Sequence, residues 1–289
     1  MEYVYLLLAM TFSAVITIAG RLYNNKNRER KNVTRLYSVM VASAASLGWL
    51  ILWIADFSFD IRVLPFAMLY GILYASFTVG MLGAIQAGST SLTALVKQVA
   101  LVGVSFWGFF FWDTKFTSLS AIGIVALLIS LGLCLIVKEK KGSSHHMGKW
   151  LFYALLITAG NAGCSILQRY QQMAFDYQHK NMLMFFGCFF AAIFCLIFAM
   201  GEKKENWGKA FASTWMFPLL AGSSSALSNV FILLLVKSQM SPVILYPGVA
   251  VGGLMITTGV SFFGFRERLR PLQWLGLVVG AVALVLLNL

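Results

Sequence analysis

Residues 91–103 read SLTALVKQVALVG, and residues 241–253 read SPVILYPGVAVGG. Five positions stay in step at a constant offset of 150: Ser91 with Ser241, Leu95 with Leu245, Val99 with Val249, Ala100 with Ala250, and Gly103 with Gly253. A second block follows, in which VSFWGF at 104–109 recurs as VSFFGF at 260–265. Gly123 and Gly276 then fall a few residues into the last apolar run of each half. Apolar segments align easily by chance, but three blocks in one order point to a duplicated chain.

Working outward, the segments around these blocks are long, apolar and uncharged. Hydrophobic residues make up 60% of the 289 positions and charged ones 11%, gathered into short clusters. Tyr3–Gly20, Leu36–Ala55, Thr117–Val137, Trp150–Gln168, Asn181–Gly201 and Pro271–Leu289 contain no Asp, Glu, Lys or Arg. Each can cross a hydrocarbon core of about 30 Å at about 1.5 Å per residue. The uncharged stretch Val63–Val96 is too long for one span, and Gly88-Ser89-Thr90-Ser91 divides it into helices near 64–86 and 91–111. Ala210–Val236 makes one more span, and Ser238–Phe265 another, opening at Pro242 where a first helical turn tolerates proline.

The expectation is an all-α membrane protein of ten transmembrane helices. Five spans end on the opposite side from where they began, so a second copy enters upside down. Two inverted five-helix repeats around a central cavity are the architecture of many secondary transporters. The first repeat is expected over 1–141, a linker over 142–149, and the second repeat over 150–289.

The formal charge of +12 is an orientation signal rather than a mark of nucleic-acid binding. Alternate loops carry sixteen basic residues, among them Arg28, Arg30, Lys140, Lys203 and Arg268, against five in the others. The positive-inside bias puts the richer loops in the cytoplasm and both termini outside. Expected partners are a small-molecule substrate and the lipid bilayer, with no nucleic acid, in a monomer or homodimer. The chain lacks a secretory leader pattern, since Glu2 replaces a basic n-region. The expected location is the inner (plasma) membrane of a bacterial cell, multi-pass.

Catalytic chemistry finds little support. All ten Asp and Glu residues fall in loops or at span ends, so no embedded carboxylate pair is available to an intramembrane enzyme. His145-His146 has no third ligand nearby, and the four cysteines read as apolar filler. No cofactor and no metal are expected. The absent carboxylate also argues against proton-coupled export of lipophilic cations.

Ten helices in a five-plus-five repeat, a fourth helix of each half rich in Ser, Gly and Ala, and the turn Glu267-Arg268-Leu269 before a glycine-bearing last helix resemble the drug/metabolite transporter superfamily. The EamA-like ten-helix branch is the nearest in pattern. The resemblance spans nearly the whole chain, with the first-half turn altered to Asp113-Thr114-Lys115-Phe116. It implies transport without catalysis. It also implies both termini in the cytoplasm, against the charge count, so orientation stays open. The family's mid-helix proline is present as Pro247, while Lys97 stands at the equivalent first-half position.

Lys97 is the single charged residue well inside a span. Its four methylenes could carry the ammonium out to an interface. The alternative is a charge facing a hydrated cavity, the usual meaning of an ionisable group at membrane depth. With no acidic partner on a neighbouring span, that partner is expected to be the substrate. Further candidates are Gln98 beside it, Tyr74 and Thr78 on the third span, Ser224, Ser228 and Asn229 on the eighth, and Asn161 on the sixth, with Gln168 and Arg169 at that span's end. Pro247, Gly248, Gly252 and Gly253 are expected to form a kink or hinge in the ninth. The expected function is secondary transport of a small polar, anionic or zwitterionic, organic metabolite by alternating access. Amino-acid or drug export, or flipping of a lipid-linked metabolite, are the alternatives.

Overall fold

The computed structural model describes residues 2–27, 33–87, 93, 96–97, 100, 103–104, 107–108, 110–112, 117–135, 147–200, 207–264 and 271–288; for some of them, Cys134 and Pro247 included, only the backbone is described. These residues are helical apart from short turns and loops, with no strand among them. In chain order the helices are α1 (Glu2–Lys26), α2 (Thr34–Ala55), α3 (Leu64–Ala87), α5 (Ser118–Leu135), α6 (Met147–Ala174), α7 (Lys180–Ala199), α8 (Trp207–Thr214), α9 (Met216–Lys237), α10 (Pro242–Gly264) and α11 (Pro271–Asn288). The described residues between 93 and 111 are all helical and are labelled α4.

Local chemistry explains the boundaries. α3 ends at Ala87, and Gly88–Ser91, where the sequence placed a break, lies outside the described residues. Pro218 has no N–H for the carbonyl of Thr214, and the helical hydrogen bonding breaks between α8 and α9 at that turn. Trp215 keeps helical dihedrals there, so the two run on as one element. Ahead of α3, the Asp60 carboxylate accepts from the Arg62 backbone N–H at 2.9 Å and caps a 3₁₀ turn, Ile61–Val63. The Arg62 guanidinium grips the same carboxylate at 2.7 Å and holds it down to about 2, well below its usual range.

Among the described residues six helices are long and apolar enough to cross a membrane: α1, α2, α3, α6, α7 and α9. Their faces are sorted in the opposite sense to a water-soluble bundle. Large apolar side chains point outward, such as Leu47, Ile51 and Ile54 on α2, and Leu151, Phe152 and Leu155 on α6. The buried faces carry Ala9, Ala14, Ala42, Ala45, Ala191, Ala221 and Ala250. An apolar exterior this continuous would associate in water and suits hydrocarbon instead, while small residues inside let backbones approach. The build is consistent with a multi-pass membrane protein.

α3 packs along α6 and α7, α9 along α1 and α2, α2 on α7, α5 on α11, and α10 on α1. Glycines set several of the close approaches, two of which join α3 to α7 and α9 to α2. A β-carbon on Gly71 of α3 would sit 2.7 Å from that of Phe190 on α7, and one on Gly222 of α9 would sit 2.5 Å from the Val41 carbonyl oxygen of α2. Neither site has space for any other residue without moving a helix.

Candidate functional site

α4 turns one stripe inward. Thr93, Lys97, Ala100 and Val104 are buried, whereas Gly103, Phe110 and Phe111 are exposed. The spacing is that of one helical face, which makes Lys97 an inward residue by position. Its side chain is 3% exposed. Nζ donates to the Ser13 carbonyl at 2.8 Å and to Ser13 Oγ at 3.0 Å. Ser13 lies near the middle of the 25-residue α1, so the ammonium reaches mid-depth rather than an interface. Snorkelling is therefore not what this lysine does. Both partners are neutral, and no carboxylate among the described residues pairs with it; desolvating such a charge costs several kcal/mol.

Around this ammonium lies a narrow cavity of about 50 Å³, room for a few waters. Its wall mixes polar and apolar side chains from six helices, α1, α3, α4, α6, α9 and α10. From α6, Asn161 Nδ2 donates to the Lys97 carbonyl at 2.8 Å and ties that helix to α4. From α3, the Tyr74 hydroxyl donates to Ser225 Oγ of α9 at 2.8 Å, and its ring stacks on Tyr70 at 5.9 Å. Asn229 of α9 accepts from Gln168 Nε2 at 2.7 Å and donates to the Ser225 carbonyl at 2.8 Å. Ser228 Oγ donates to the Ala9 carbonyl of α1 at 3.1 Å. Nearly every polar group in the wall thus has a neutral partner, and the one full charge has only neutral ones.

Of the residues singled out from sequence, Lys97, Tyr74, Asn161, Ser228 and Asn229 line this single cavity. Thr78 and Ser224 are buried but lie off its wall; Thr78 donates back to the Ala75 carbonyl at 3.0 Å. Gln98 lies outside the described residues. Gly248 and Gly252 of α10 face Leu6 and Met10 of α1, where a β-carbon would meet those side chains. The Gly253 carbonyl accepts from Thr257 Oγ1 at 2.7 Å. α10 stays helical through Pro247, which has no N–H to give the Val243 carbonyl.

Sequence reasoning missed Ser13 and Ser165 in the wall, set Ser225 on the same face as Ser224, Ser228 and Asn229, read Tyr70 as packing, and placed Gln168 at the end of its span. α6 continues to Ala174, which makes Gln168 an interior residue that is 2% exposed. A register of 151 between α3 and α9, in place of 150, would have matched Tyr74 to Ser225. A lone serine in the middle of α1 gives no signal at all. Among the described residues no cluster of His, Cys, Asp and Glu could hold a metal ion.

Comparisons with known proteins leave the chemistry to the residues themselves. No protein-family model matches the chain. No curated protein matches it either. A solved crystal structure, described only as that of a protein, superposes with a TM-score of 0.70 over 99% of this chain and 95% of its own, at 10% sequence identity. At that identity the likeness concerns the fold alone: the chain shares a complete, previously observed helical architecture.

Proposed function

We propose that the protein is a secondary transporter of a small anionic or zwitterionic organic solute, working by alternating access. The observation that carries the reading is the Lys97 ammonium, buried at mid-depth beside a small cavity, where Ser13 is its hydrogen-bonding partner among the described residues. A desolvated cation lacking a counter-ion is stabilised most by an anionic group entering the cavity. At about 50 Å³ the cavity is too small for an organic solute. We read this as a closed, unloaded state that widens when the halves move.

The helix packing supports two repeated halves. Exchanging the first five spans for the last five turns α3–α6 into α9–α1 and α3–α7 into α9–α2, and leaves α2–α7 and α5–α11 unchanged. Gly71 against α7 and Gly222 against α2 occupy equivalent crossings. With an odd number of spans per half, such a repeat is inverted and its site lies between the halves. This is the arrangement of the drug/metabolite transporter superfamily, in whose EamA-like branch we place the chain by its repeat and turn pattern.

The test is a thermal-shift screen of the purified protein against metabolites, repeated with Lys97→Ala. A ligand that binds only the folded state raises its apparent stability. Anionic or zwitterionic solutes should stabilise the wild type and lose that effect in the variant. Organic cations stabilising both proteins equally would refute the reading.

A further inference from the structure

The face of α6 that lines the cavity continues beyond it. Asn161 and Ser165 form part of the wall, and the next residue on that stripe is Arg169, about 12 Å along the axis from Asn161. The Arg169 guanidinium lies 4.8 Å from the centre of the Trp112 ring. Its Nε and Nη1 are shielded from solvent and have no hydrogen-bond partner among the described residues. Trp112 Nε1 is likewise buried and unmatched. One turn along α6, Gln172 is fully buried with both amide atoms unmatched. The Arg169 side chain forms no ion pair among the described residues; Tyr246 of α10 neighbours it and directs its hydroxyl at the Ser165 carbonyl, 3.5 Å away.

Buried donors in folded proteins are almost always satisfied, and each orphan is costly. Here Arg169 and Trp112 supply three on two adjoining side chains, Gln172 adds an amide, and what is missing is an acceptor. A guanidinium against an indole uses its face, which leaves its N–H edge for the paired oxygens of a carboxylate or phosphate. The geometry points to a second anion-binding site at Arg169, Trp112 and Gln172, two turns of α6 away from Asn161. It rests on the transport reading for its purpose: an outer station for the solute's anionic group. Tyr246, fully buried, contacts both Ser165 at the central cavity and Arg169 at the station.

The experiment titrates detergent-solubilised protein with inorganic phosphate and follows tryptophan fluorescence, the Trp112 component being assigned by its loss in Trp112→Phe. Wild type should show a saturable change. Arg169→Gln should need about tenfold more phosphate, the worth of one charge-assisted pair. Arg169→Lys, which keeps the charge without the fork, should fall between and also guards against a misfolded Arg169→Gln. Lys97→Ala should titrate as wild type, so loss of the central site and loss of this one are read separately. An unsaturable response, or Arg169→Gln titrating as wild type, overturns the site. Phosphatidylglycerol micelles that abolish the response while phosphatidylcholine micelles do not would assign it to a lipid headgroup, and the solute station would be wrong.

Discussion

The hydroxyl of Tyr74 on α3 donates to Ser225 Oγ on α9 across 2.8 Å, both buried and both near the middle of their helices. Their sequence separation of 151 is close to the repeat offset of 150, so each lies near the other's equivalent position. On the proposed repeat such a bond would sit at the junction of the two halves, where alternating access would require contacts to form and break. Tyr74→Phe leaves the ring packing intact and strands Ser225 Oγ. The expected cost is about 1–3 kcal/mol of stability for this closed form. Thermal unfolding should show it, with Ser225→Ala alone costing less than Tyr74→Phe. Unchanged melting in Tyr74→Phe would contradict the junction.

Gln168, Asn229 and Tyr70 form a second link between α6, α9 and α3. Gln168→Leu removes the Nε2 donor and leaves the Asn229 carbonyl oxygen without it. The melting temperature should fall by the equivalent of about 1–3 kcal/mol, and the double variant Gln168→Leu/Asn229→Leu should lose less than the two single losses combined. Additive losses would show that the two amides do not act together.

Gly71 and Gly222 predict matched behaviour in the two halves. Replacing either with valine forces a branched side chain against a neighbouring helix, at a cost of about 1–3 kcal/mol or more. Detergent-solubilised Gly71→Val and Gly222→Val should both melt well below wild type, while Gly103→Val, where nothing lies within 4 Å of an added β-carbon, should not. A wild-type melting curve for Gly222→Val would argue against the close α2–α9 crossing.

Outside the spans, the Asp60–Arg62 pair sets a pH dependence. The folded carboxyl titrates near about 2, below its ordinary 3.8. Its stabilising effect is therefore complete above about pH 4 and is lost as pH falls toward about 2. The pair is exposed on the Arg62 side, so the effect is small and weakened by salt. Asp60→Asn should flatten this segment of the melting-temperature profile against pH; an identical acid slope in both proteins would assign it to other carboxylates.

The helices were legible because apolar length and charge placement report directly on a bilayer, and the Gly88–Ser91 break was a local signal. Lys97 was legible for the same reason, since a charge inside an apolar run stands out. Tyr74, Ser228, Asn229 and Asn161 were recovered because polar side chains at mid-span must find partners. Ser13 and Ser165 were not, because which face of a helix meets the cavity depends on its rotation against its neighbours. A one-residue change of register between α3 and α9 exchanges Ser224 for Ser225, and apolar repeats do not fix register that finely.

The central claim is that the Lys97 ammonium awaits an anionic group. The most direct measurement is uptake, into proteoliposomes, of the solute that most stabilises the wild type. Lys97→Met, which keeps the length and removes the charge, should abolish saturable uptake, and Lys97→Arg should retain part of it. Undiminished uptake by Lys97→Met would contradict the account.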